Sequence, residues 1–208
     1  MISSNTIKIK AAITAVGGFV PEDFISNKDL EKMVDTNDEW ITARTGIKKR
    51  RILKAKGKAT SYLAIKAAKD LLKRNDIDPK NIDLVILATI TPDFHVSSTA
   101  PTVASEINAI NAYAFDINAA CSGFLYGMST ATSYIESGRY KKVLLIGADM
   151  MSSIVDYTDR STSILFGDGA GAVLVEPSVN EFGWEDEYLR SDGIGAEWLK
   201  IKSGGSLY

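Results

Sequence analysis

Tyr113-Ala-Phe-Asp-Ile-Asn-Ala-Ala-Cys-Ser-Gly-Phe-Leu-Tyr-Gly-Met-Ser-Thr-Ala-Thr-Ser-Tyr134 joins two patterns at one residue. Tyr113 to Ala120 is written for a strand and Ser122 to Tyr134 for a helix. The only cysteine of the chain, Cys121, stands at the junction. A thiol at a helix N-terminus meets the positive end of the helix dipole and unpaired backbone N–H groups, both of which favour the thiolate. Ala119, Ala120, Ser122 and Gly123 are small enough to leave the sulfur open to a substrate. The alternative is an inert core cysteine, since free Cys is among the most buried residue types.

The same alternation continues on both sides of this junction. Ile7 to Val20 reads as a first strand ending at Gly17-Gly18 and Pro21. Ser26 to Met33 reads as a short helix capped by Ser26 or Asn27, and Asp38 to Thr45 as a second helix stopped by Gly46. From Thr60 to Asn75, Leu63, Ala64, Ala67, Ala68, Leu71 and Leu72 recur at helical spacing. Ile82 to Ile90 is an apolar run suited to a strand buried on both faces. Thr102 to Ile110 is helix-like, and Lys142 to Ala148 is another buried strand. Ser163-Ile-Leu-Phe166 and Ala172 to Glu176 are further strand candidates, separated by Gly167-Asp-Gly-Ala-Gly171, which reads as a tight turn. Strands alternating with helices predict an α/β fold, a mainly parallel sheet covered on both faces.

Composition narrows the function classes. Of 208 residues 45% are apolar, enough for a real core, and 24 basic against 26 acidic residues give a net charge of −2. That charge provides no global field for nucleic acid or an anionic membrane. Lys48 to Lys58 holds seven cations, but no aromatic residue interleaves with them, so the stretch reads as a solvated loop or strand edge. One cysteine excludes an internal disulfide, the first residues lack the apolar core of a signal peptide, and no apolar run is long enough to span a bilayer. These features predict a reducing, cytoplasmic setting. With one Cys and one His no metal cluster forms within the chain, and Gly167 to Gly171 lacks the lysine of a phosphate loop. A Cys–His pair would have to use His95, which falls in a polar loop, so the expected base is missing.

Five segments together resemble the β-ketoacyl-[acyl-carrier-protein] synthase III family. They are Met33-Val-Asp-Thr-Asn-Asp-Glu-Trp-Ile41, Arg44-Thr-Gly-Ile47, Phe115-Asp-Ile-Asn-Ala-Ala-Cys-Ser-Gly-Phe124, Thr158-Asp-Arg160 and Leu165-Phe-Gly-Asp-Gly-Ala-Gly-Ala172. They run in order at family-like spacing, with a weaker echo at Ser191-Asp-Gly193.

The resemblance implies the N-terminal half of a thiolase-like fold, with residues 1–175 as the half-domain carrying the nucleophile and 176–208 leading toward a C-terminal half. It implies an acyltransferase that moves an acyl group from coenzyme A to Cys121. The acyl-cysteine then condenses with malonyl-acyl carrier protein, losing CO₂, to start type II fatty acid synthesis. The coenzyme A thioester is a substrate, and no permanent cofactor or metal is implied. The Cys121 N–H would form part of an oxyanion hole. Trp40 and Arg160 match residues that sandwich the adenine, and Thr36 and Arg44 match contacts to the base and phosphates. Phe166 matches an acyl-tunnel residue. Val96 stands where many members carry a larger aromatic that reaches across a homodimer, leaving room for a longer or branched primer. Ser161 stands where a glycine is frequent.

The His and Asn that assist decarboxylation in this family belong to its second half and have no counterpart here. Trp184 to Tyr208 has several glycines and no closing element. The chain therefore reads as a piece that is inactive alone and expects a complementing C-terminal half. A related superfamily acyltransferase, a polyketide-priming synthase and a non-catalytic binding or scaffold half are the alternatives.

Overall fold

The computed structural model describes residues 9–180, 182–202 and 204–207. The start of the first expected strand, the N-terminal residues read for a signal peptide and the final Tyr208 lie outside them. Strand β4 (Leu84–Ala88) is buried at every residue, which requires cover on both faces. It lies between β5 (Tyr113–Ile117) and β6 (Val143–Met150) and parallel to both, with Ile86 opposite Phe115 on one side and Leu145 on the other. Strand β7 (Asp168–Pro177) is antiparallel to β6, and β1 (Ala11–Phe19) is antiparallel to β7, so the five-stranded order is β1-β7-β6-β4-β5. Every strand but β7 therefore points the same way.

The two-residue period of a strand sorts the apolar residues onto two faces. Val85 and Leu87 of β4, with Leu144 and Ile146 of β6, pack under α3 (Thr60–Arg74) and α4 (Thr99–Glu106), which contribute Ala67, Leu71 and Val103. Leu84 and Ile86, with Val143 and Leu145, pack under α5 (Gly123–Glu136) through Met128, Ala131 and Ile135. Each fully buried Leu or Ile contributes about 1.5–3 kcal/mol.

A smaller layer holds β2 (Phe24–Ser26) against β3 (Lys49–Arg51), with α1 (Asn27–Leu30) and α2 (Asp38–Thr45) between them. Ser26 and Asp29 form a reciprocal capping box at α1. Asn37 caps α2, and Gly46 ends it at φ 70°, as the sequence predicts.

Three local expectations are corrected. Ser163 to Phe166 is not a strand: Ser163 ends α6 (Arg160–Ser163), and the next three residues form a turn and an extended link. Gly167 to Gly171 is not a turn: from Asp168 onward it is β7, paired with β6 and β1 at once. Gly167, just before β7, is tightly packed: a Cβ there would sit 2.9 Å from the Arg51 carbonyl oxygen. Within Lys48 to Lys58, Arg50 is buried at 3% exposure, because the alternation of β3 turns it inward between Lys49 and Arg51. Beyond β7, Ser178 N–H donates to the Lys10 carbonyl and Trp184 N–H to that of Ala11, so the chain returns along the edge of β1.

Helix α3 approaches β1 so closely that a Cβ on Gly17 would lie 2.5 Å from the Leu71 nitrogen and 2.7 Å from the Ala67 oxygen. Both are backbone atoms that cannot rotate away. Gly17→Ala is expected to destabilise the protein by about 1–3 kcal/mol, read as a lowered urea midpoint at unchanged slope.

Candidate active site

After Ile117 the chain leaves β5, and Ala120 takes a left-handed φ of 46°. A non-glycine residue there costs about 1 kcal/mol. The bend places Cys121 on a 3-10 turn, Ala120–Ser122, immediately before α5. Cys121 is exposed, so the buried-core alternative is excluded for this side chain. The turn's backbone bonds run from Ser122 N–H to the Ala119 carbonyl and from Gly123 N–H to that of Ala120, and neither uses the Cys121 N–H. No side chain caps α5. Gly123 packs beside Ala88, where a Cβ would be 3.4 Å from that residue's own Cβ. Cys121 thus stands over the carboxyl ends of the parallel strands, where open α/β sheets take ligands.

Trp40, Arg44 and Arg160 converge at a second place. The Arg160 guanidinium carbon lies 4.5 Å from the Trp40 ring centre, and that of Arg44 lies 5.0 Å from it. Helix α2 brings Trp40 and Arg44 together as an i, i+4 pair, and α6 delivers Arg160 from across the chain. Arg160 Nη1 also donates to the Asp35 carbonyl at 3.0 Å, next to Thr36, whose buried Oγ1 has no protein partner. One flat indole, two guanidinium groups and a hydroxyl without a protein partner thus stand together, groups that can stack on a flat ring and donate to an anion.

What holds α2 and α6 in place was not legible in the sequence. Arg50 Nε donates to the Ile164 carbonyl at 2.8 Å, its Nη2 to the same oxygen and its Nη1 to Asn27 Oδ1. Asn27 Nδ2 in turn donates to Asp38 Oδ1 at 2.6 Å and to the Ile47 carbonyl at 2.9 Å. Burial lowers the Arg50 pKa from the ordinary arginine value, and nearby Tyr157 opposes that shift. Buried Asp168 accepts Leu53 N–H at 2.7 Å and Ser152 N–H at 2.8 Å. Burial pushes the Tyr157 phenol up, with Asp168 adding to the effect. The one available signal was weak, a cation in the strand position that alternation turns inward.

The remaining expected residues lie apart from this cluster. Phe166 is half-buried on the link into β7, and Val96 is 99% exposed on the loop after β4. His95 is exposed on the same loop. Ser161, where the family often has glycine, helps cap α6: its N–H and hydroxyl donate to Asp159 Oδ1 at 2.8 and 2.7 Å.

Two outcomes test this scaffold. Asn27→Ala removes the Arg50 acceptor and is expected to cost about 2–3 kcal/mol, measured by denaturant unfolding. Asp159 is held below the usual carboxylate range by the Ser161 side chain, then the Ser161 backbone and Thr162. Its stabilising effect on α6 is therefore complete above the ordinary value of 3.8 and is lost as pH falls through the lower folded value. Trp40 fluorescence in a Trp184→Phe, Trp198→Phe protein should hold steady down to that region and change only below it.

Comparison with known proteins agrees with this geometry. Residues 115–193 match the family model of 3-oxoacyl-[acyl-carrier-protein] synthase III. The chain is 53% identical over 200 residues to β-ketoacyl-[acyl-carrier-protein] synthase III 2 of Bacteroides thetaiotaomicron, covering 96% of this chain and 60% of the relative. The crystal structure of the Thermus thermophilus synthase III superposes with a TM-score of 0.88 at 42% identity, over 93% of this chain and 60% of that one. The priming β-ketosynthase of the R1128 polyketide pathway gives a TM-score of 0.78 at 37% identity, over 82% of this chain and 51% of that one. The fold is therefore thiolase-like, and the chain, which spans 60% of the length of its Bacteroides relative, is similar over that span to the β-ketoacyl-[acyl-carrier-protein] synthases III.

Proposed function

We propose that this chain carries the acyl-accepting half of a β-ketoacyl-acyl carrier protein synthase III. The observation that carries the reading is Cys121, an exposed thiol on a left-handed bend at the carboxyl ends of the parallel strands. The Cys121 thiolate attacks the carbonyl of an acyl-CoA thioester, the C–S bond to coenzyme A breaks, and the coenzyme A thiolate leaves and takes up a proton. The product is an acyl-cysteine. Malonyl-acyl carrier protein then loses CO₂, and the resulting carbanion attacks that thioester, releasing the Cys121 thiolate and a β-ketoacyl-acyl carrier protein. The Cys121 N–H contributes to holding the oxyanion of each tetrahedral intermediate.

Trp40 and Arg160 take the adenine between them, with Thr36 and Arg44 on the base and phosphates. Arg160 already stacks on the indole, so the base enters by displacing the guanidinium from the ring. Phe166 and Val96 border the acyl group, and the small Val96 admits longer or branched primers. Homodimerisation and a cytoplasmic setting complete the proposal; among the described residues no helix is long and apolar enough to cross a membrane. A polyketide-priming synthase is the second reading, favoured by the likeness to the R1128 priming enzyme.

Intact mass after incubation with acetyl-CoA or iodoacetamide should show one adduct, lost in Cys121→Ala. Absence of any adduct would sink the catalytic reading. Trp40→Ala should weaken coenzyme A binding by about tenfold or more, the scale of one base stacked on an aromatic ring, as titrated by calorimetry. Primer kinetics with acyl-CoA thioesters of increasing size should show turnover beyond acetyl-CoA, and strict acetyl preference would count against the role given to Val96.

A further inference from the structure

The near-neutral charge total hides an uneven distribution. Residues 48–74 hold 11 of the 24 cations and one of the 26 acids, a net +10, while the rest of the chain sets 13 cations against 25 acids, a net −12. Arg50 is buried and bonded to Asn27 and Ile164. The other ten cations of the stretch, eight lysines and two arginines, are all exposed. Among the described residues only one of the ten pairs with an acid, Arg74 with Asp70 at 2.9 Å.

Instead of acids, the folded chain brings aromatic rings to these charges. Lys49 Nζ lies 4.2 Å from the Phe24 ring centre, and the Arg51 guanidinium carbon 5.9 Å from it. Lys58 Nζ and Lys66 Nζ lie 5.3 and 5.5 Å from the Tyr62 ring centre, and Phe19 makes a T-shaped contact with the same ring at 5.9 Å. The short link from Phe19 to Phe24 joins the two clusters; its acids, Glu22 and Asp23, are exposed and pair with none of these cations. Tyr62, Lys66, Lys69 and Lys73 follow at helical spacing, so the charge continues along the outer side of α3. That helix covers the sheet face opposite α5.

The residue types distinguish among anionic partners. Protein interfaces are depleted of lysine. Single-stranded nucleic acid needs aromatic faces open to its bases, whereas Phe24 and Tyr62 are already faced by cations. A layer of phospholipid headgroups asks for point charges on long stems within reach of phosphate, with apolar side chains among them to enter the interface. Val20 is 56% and Phe24 39% exposed beside the charges.

We propose that β3, the 52–59 loop and the outer side of α3 form a docking surface for anionic phospholipid, which holds the protein on a membrane surface without crossing it. The net charge of −2 does not oppose this, because acids more than a Debye length away, about 10 Å at 0.1 M salt, are screened. The assignment stands apart from the chemistry given to Cys121.

The test sediments the full chain with vesicles of equal parts phosphatidylglycerol and phosphatidylcholine, and a vesicle-free sample subtracts aggregation. The chain is expected in the pellet with these vesicles. It should stay in the supernatant with phosphatidylcholine alone, or in about 1 M salt, where the Debye length falls to about 3 Å. Lys58→Gln with Lys66→Gln is expected to lower partitioning about 25-fold, about fivefold for each lysine at the surface. Arg139→Gln with Lys141→Gln, the same charge change between α5 and β6, should stay within about twofold of the parent.

Pelleting that is equal on phosphatidylcholine alone, that survives high salt, or that falls as far in the Arg139, Lys141 pair overturns the proposal. So does absence of vesicle binding; an oligothymidylate bound in its place would assign the face to nucleic acid.

Discussion

Wherever a chain leaves a sheet it strips backbone N–H groups of their strand partners, and a buried N–H without an acceptor costs about 1–3 kcal/mol. This protein meets that constraint with aspartates. Asp149 and Asp116 hold the two ends of the loop after β4. Asp168 takes N–H groups from Leu53 and Ser152, and Asp83 takes those of Lys141 and Lys142 before β6. Asp70 accepts from Gly18 at the end of β1. An ionised carboxylate offers several lone pairs and makes stronger bonds than a neutral acceptor. These five aspartates thus stitch strand ends and loops together, and Asp168 does so while buried.

The same principle, with the sign reversed, builds the cradle around Trp40. Arg50 brings a guanidinium inside, and it is tolerated because Asn27 and the Ile164 carbonyl accept from it. That bridge joins α1, β3 and the link after α6, elements far apart in sequence. Trp40 and Arg160 meet face to face because α2 and α6 are tied to one buried cation. The cradle and Cys121 therefore stand on separate parts of the scaffold, one on the small layer and the other at the end of the parallel strands.

Much of this was legible in the sequence. The apolar run of β4, the helical spacing in α3, the caps of α1 and α2 and the strand-to-helix junction at Cys121 are local patterns, set by side-chain period and backbone preference, and the structure follows them. The errors are equally physical. Gly167 to Gly171 has turn chemistry, yet from Asp168 onward it pairs as β7, and β3 passes so close to Gly167 that a Cβ there would meet the Arg51 carbonyl oxygen. Ser163 to Phe166 has strand composition, but Asp159 caps a helical turn directly before it. Arg50 has surface composition and a buried address.

By itself the sequence determined the order and type of most elements, the resemblance to a family, and the residue types on which chemistry could rest, because these depend on neighbours a few positions apart. Only the tertiary structure decided which groups meet: Arg160 on Trp40, Arg50 on Asn27 and Ile164, and Asp116 and Asp149 on one loop beside the Cys121 strand. The physical reason is that hydrogen bonding and desolvation are settled between groups more than a hundred residues apart in some pairs, such as Arg50 and Ile164. No local period carries that information.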